Sequence, residues 1–114
     1  MKMSEIMKME KISLKNIGNE PTKFLIKAIA SLNGIYGKFY LLVTNDNKKI
    51  FVNEKTVLYK QLERLHIDIT VQTFEMTVFK KASSQFLREY VSLYSLTYVK
   101  GMPIEKIEFD LPSQ

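Results

Sequence analysis

The sequence predicts a mainly β fold: five antiparallel strands with a single α-helix between the third and the fourth. Two observations carry this. Apolar and polar side chains alternate with a period of two through five runs between residues 22 and 99, the spacing that sends successive residues to opposite faces of a sheet. Between Asn53 and His66 that period gives way to a helical one. At 114 residues, the chain can bury one core but not two of ordinary size.

The elements follow in order. Residues 1–21 read as an N-terminal arm or short strand, in which Ile12, Leu14 and, after a slip, Ile17 alternate with polar residues; Gly18-Asn19-Glu20-Pro21 is a turn. The first long strand runs from Lys23, with Phe24, Ile26, Ala28 and Ala30 on one face. Asn33-Gly34 signals the next turn. The second strand is Lys38 to Thr44, with Phe39, Leu41 and Val43 on one face and Tyr40 on the other. Asn45-Asp46-Asn47-Lys48 forms a hairpin turn, and Lys49 to Asn53 is the third strand. Asn53 is placed to cap a helix whose stripe is Val57, Leu58, Gln61, Leu62 and Leu65, ending near His66. The fourth strand starts at Ile67 and changes phase at Thr73, as a β-bulge would make it do. A turn at 80–85 leads to a long run from Phe86 to Val99. Gly101 and Pro103 end it, and residues 101–114 form an acidic tail that reads as a last short strand or a loose end.

Composition narrows the function classes. Hydrophobic residues make up 46% and charged residues 25%, the balance of a globular protein. The longest apolar run, Phe39 to Val43, is too short to span a bilayer, and no signal-peptide core follows the early lysines. Cysteine is absent, which removes disulfides, thiolate metal sites and a thiol nucleophile and agrees with a cytoplasmic protein. The net charge of +5 is uneven: residues 1–60 hold eleven lysines against five acids, and residues 61–114 hold six basic residues against seven acids. Such an asymmetry points to a phosphate-bearing or otherwise anionic partner, or to a solvated lysine-rich surface.

The order strand, strand, strand, helix, strand, strand over residues 22–100 resembles the oligonucleotide-binding fold, a five-stranded barrel with its helix between strands three and four. Gly37-Lys38-Phe39-Tyr40 is similar to the second strand of small single-stranded-DNA-binding proteins of phages and archaeal viruses. An open antiparallel sheet packed on the helix fits the same element string. The barrel resemblance implies a ligand lying across strands two and three, which requires outward aromatic rings for base stacking and lysines for phosphates. If Phe39, Leu41, Val43, Ile50 and Val52 face the core, Tyr40 and Phe51 face outward together, edged by Lys38 and Lys49, with Tyr36 in the preceding loop. Phe79, Lys80 and Lys81 are placed to clamp a strand from the other side, and Lys23 and Lys27 to continue the basic track. Tyr90, Tyr94 and Tyr98 form a row better suited to core or dimer packing.

Catalysis has little to work with. His66 is the single histidine, a capping or surface residue more often than a base. The acids are scattered, the glycines form no phosphate cradle, and no metal or cofactor is expected. The expectation is a single-stranded nucleic-acid binder, DNA before RNA, viral and replicative by its resemblance, and not an enzyme. The alternative is a protein-interaction module of a virus or mobile element, possibly a homodimer.

Overall fold

The thirteen residues Thr22–Gly34 form one long strand, β2, that organises the sheet. Pro21 precedes it, and Gly37, at φ +108°, reverses the chain after it, a backbone angle that glycine alone adopts without strain. The computed structural model describes residues 1–83, 85 and 88–109. Its elements are α1 (Met3–Met7), β1 (Glu10–Lys11), a 3-10 turn at Leu14–Asn16, β2, β3 (Gly37–Thr44), β4 (Lys48–Asn53), α2 (Val57–Glu63), α3 (His66–Ile69), β5 (Gln72–Ser83), β6 (Arg88–Pro103) and β7 (Glu105–Lys106). The strands lie in one sheet in the order β1-β4-β3-β2-β5-β6, with β7 beside β2. The fold is mainly β, and four of the five long strands start close to where the sequence places them. The fourth does not: Ile67 and Ile69, expected to open it, lie in α3, and β5 begins only at Gln72. It also runs through Lys80 and Lys81, expected in a turn, which pair with Val91 and Tyr90 of β6.

The sheet is open, and the expected closed barrel does not form. Both edges that would have to meet are already occupied. The outer edge of β4 pairs in parallel with β1, Glu10 opposite Lys48 and Lys11 opposite Lys49. On β6, the backbone N–H of Leu93 donates to Gln61 Oε1 at 2.8 Å, and Gln61 Nε2 donates to Ser92 Oγ at 3.0 Å. Helix α2 thus satisfies strand groups that a further strand would otherwise take up. Gln61, the polar member of the helical stripe, owes its place there to this bond.

A bulge between Ile26 and Ala28 divides β2. Its first half pairs with β5, Phe24 opposite Met76 and Ile26 opposite Phe74; its second half pairs with β3, Ile29 opposite Leu42 and Ala30 opposite Leu41. The extra residue moves Ala28, Ala30 and Leu32 to the face opposite Phe24 and Ile26. Two apolar layers result. Ile26, Ile29, Tyr40, Leu42, Ile50 and Val52 pack with Leu58, Tyr59 and Leu62 of α2 and with Phe74, Met76 and Val78 of β5. On the other face, Ala28, Leu41 and Val43 are covered by Ile6 of α1 and Ile107 near β7.

The arm and tail are joined to each other over that second face. The Met3 N–H donates to the Glu108 carbonyl at 2.8 Å, and the Glu108 N–H to the Met1 carbonyl at 2.7 Å. The tail therefore holds a short strand, β7, rather than a loose end up to Glu108; Leu111 lies outside the described residues, as does Phe86 at the start of the last long run. In the arm, the short strand falls at Glu10–Lys11, and Leu14–Asn16 is a 3-10 turn.

The helix also starts later than expected. Thr56 is its cap, its Oγ1 accepting from the Tyr59 N–H at 3.1 Å. Asn53 instead bonds the Lys55 N–H at 2.9 Å and makes the turn before it. The helical stretch breaks at Arg64–Leu65, and His66 opens the short α3. Among the described residues, no helix is long and apolar enough to cross a membrane.

Candidate functional site

The expected outward platform of Tyr40 beside Phe51 does not exist. In the β3–β4 ladder Tyr40 stands opposite Val52, and Leu41 opposite Phe51. Directly opposed residues share a face, so Tyr40 and Phe51 lie on opposite faces. Tyr40 is 1% exposed and packs toward α2. Its hydroxyl lies 2.7 Å from His66 Nδ1. Burial, followed by the charges of Tyr59 and Glu63, pushes its pKa up to about 12. Lys49 is 9% exposed, and its Nζ donates to the Met7 carbonyl at 2.9 Å. That ammonium closes the C-terminal end of α1, where a positive charge is favoured. It does not reach a ligand surface.

Other members of the expected set remain near the surface. Tyr36 is 78% exposed in the β2–β3 turn, next to Ile35. On the face opposite Tyr40, the rings of Phe39 and Phe51 meet with centroids 5.8 Å apart. With Tyr36, Gly34 and Asn53 they line a shallow apolar groove of about 300 Å³. The Lys11 ammonium sits 5.5 Å from the centroid of Phe51, a cation–π contact. The aromatic pair at this end of the sheet is therefore Phe39 with Phe51. Lys38 is exposed on the other face, on the Tyr40 side.

The lysines of the supposed basic track are largely engaged. Lys27 Nζ bonds Asn47 Oδ1, and Lys23 lies 3.8 Å from Glu75. Lys80 Nζ donates to the Lys15 carbonyl at 3.1 Å and stands 3.9 Å from Glu89. Lys81 is exposed, and Phe79 meets Tyr94 edge to face at 5.5 Å.

A further cavity lies between the turn after β1 and the β5–β6 ribbon. It measures about 890 Å³. The 3-10 turn that follows β1 forms one wall, the β5–β6 ribbon the other, and the first turn of α2 the back. Its floor is apolar, formed by Leu14, Val57, Leu58 and Val91 with Tyr90. Its rim carries Lys15, Lys55, Lys80 and Arg88 against one carboxylate, Glu89. Of the expected residues only Lys80 lies here. Lys15, Lys55 and the pair Arg88 and Tyr90 carry no shared signal in the sequence, which spreads them over three segments that only the fold brings to one groove.

The arrangement offers binding chemistry. Among the described residues no three His, Asp or Glu side chains cluster as a metal site. No protein-family model matches the sequence, and no curated protein or solved structure matches the chain.

Proposed function

We propose that the protein binds single-stranded nucleic acid with little sequence preference, and that the strand lies in the groove between the turn after β1 and the β5–β6 ribbon. The observation that carries this is the groove's composition. A single strand presents apolar base faces and a row of negative charges together, whereas a duplex hides its base faces. An apolar floor with a tyrosine, rimmed by four basic side chains and one acid, matches that pairing of surfaces. Lysine in three of the four basic positions suits point-charge contact with phosphate more than forked reading of base edges. The similarity of Gly37-Lys38-Phe39-Tyr40 to single-stranded-DNA-binding proteins makes DNA the first ligand to test.

The test is fluorescence polarisation with labelled single-stranded and duplex oligonucleotides across a salt series. Affinity for the single strand should fall with rising salt, with a log–log slope of about −0.7 per phosphate contact. Removing Lys15, Lys55 and Arg88 together should flatten that slope by about two units. No binding at low salt, or a slope unaltered in the triple variant, would sink the proposal.

A second reading rests on the hairpin tip. Ile35 is 93% exposed beside Tyr36, and an exposed apolar-aromatic tip suits insertion into a protein partner or a second copy of the chain. Capture of a partner that survives nuclease treatment, and is lost on Ile35→Ser with Tyr36→Ser, would favour it.

A further inference from the structure

The face of β2 and β3 that packs on α2 ends in a polar cup of about 470 Å³. Asn33, Lys38 and Tyr40 reach it from the strands; Tyr59, Glu63 and His66 reach it from the helices. Three rings lie beside it, two packed together and one joined through its edge. Tyr59 and Tyr40 have centroids 4.9 Å apart and a tilt of 33°. Tyr40 and His66 follow at 5.9 Å and 34°. Both tyrosines are buried and His66 is exposed. The 2.7 Å hydrogen bond between the Tyr40 hydroxyl and Nδ1 holds the imidazole by its edge, at the tip of Tyr40. An exposed imidazole tethered by its edge offers a ring face for stacking whose position is fixed before any ligand arrives, which lowers the ordering cost of binding.

The rest of the lining suits a flat heteroaromatic ligand with an anionic arm. The Asn33 carboxamide both donates and accepts, and the Glu63 carboxylate accepts from an exocyclic amine. Lys38 supplies a positive charge, and neither Lys38 nor Glu63 is held in an ion pair among the described residues. The Tyr59 hydroxyl bonds to Glu63, and a carboxylate has further lone pairs with which to accept. Tyr40 and Tyr59 are buried, so ring stacking is available at His66, an aromatic that bases stack on in single-stranded recognition.

We propose that this cup takes one unpaired nucleobase, stacked on His66 and bonded along its edge by Asn33 and Glu63, with Lys38 on the adjoining phosphate. It rests on the reading of the protein as a single-strand binder and names where one base of the strand goes.

His66 is the only histidine, so its Cε1–H resonance is a unique reporter. Wild-type protein is titrated with adenosine 5′-monophosphate and, separately, with inorganic phosphate. The nucleotide should move that resonance by ring-current shielding, and phosphate should not. In parallel, oligonucleotide affinity is measured for His66→Ala and His66→Phe. The alanine variant should bind about tenfold more weakly and the phenylalanine variant within about twofold of wild type. Salt slopes should not change, since no phosphate contact is lost. A resonance unmoved by the nucleotide, an equal shift with phosphate, or an alanine variant that binds like wild type would each overturn the cup. A wild-type protein that shows the nucleotide shift but holds no oligonucleotide would support the cup and remove the strand-binding reading instead.

Discussion

The ammonium of Lys49 lies 2.9 Å from the carbonyl oxygen of Met7 and fastens the N-terminal arm to β4. Lys49→Met keeps the stem but abolishes this bond. Chemical denaturation should show a loss of about 1–3 kcal/mol, the usual range for a hydrogen bond to a charged group. Hydrogen exchange should quicken first at Ile6 and Met9, whose N–H groups bond within the arm.

Gln61 fills a position where the helical stripe calls for an apolar residue. Gln61→Leu would improve the stripe and leave the Leu93 N–H without its partner. The strand loses more than the helix gains, and the variant should be destabilised by about 1–2 kcal/mol. A melting temperature at or above wild type would show that β6 does not depend on this bond.

Tyr98 carries the opposite imbalance. Its hydroxyl is buried with no hydrogen-bond partner among the described residues. Burial, and then the charge of Asp68, holds its pKa above the usual phenol value. Tyr98→Phe removes a desolvated polar atom and should raise stability by up to about 1 kcal/mol.

Alkaline stability should report on Tyr40. Its pKa is about 12 in the folded protein against 10.0 for an ordinary tyrosine. Below pH 10 both states keep the proton and the stabilisation is complete. As pH rises from about 10 to 12 the unfolded chain releases its proton first, so stability falls. Denaturation midpoints of Tyr40→Phe should decline less steeply across that window than those of wild type.

The strand pattern was legible where alternation survives tertiary packing, and the helix because its period differs; alternation misleads at Ile67, Ile69 and Val71, which lie in α3 and the turn after it. The facing of the strands was not. Phe39 to Val43 is apolar without a break, the mark of a strand buried on both sides, and only a one-sided sheet would turn Tyr40 outward. The bulge at Ile26–Ala28 hides in an apolar stretch where either phase looks acceptable, so a slip of one residue flips every later side chain. Lys49 read as a ligand contact because a lysine's partner can be a backbone carbonyl far along the chain. The groove was illegible for a different reason: it depends on the sheet staying open, which β1 and Gln61 decide.

The joining of Met1 and Met3 to Glu108 over the second sheet face bears on the order of folding. Leu41 and Val43 are covered by Ile6 from one side of the sequence and by Ile107 from the other. Contacts so widely separated along a chain require the largest loop closures, whose entropy must be met before the contact rewards it. That face is therefore expected to close last, after the β2–β3–β4 meander has formed.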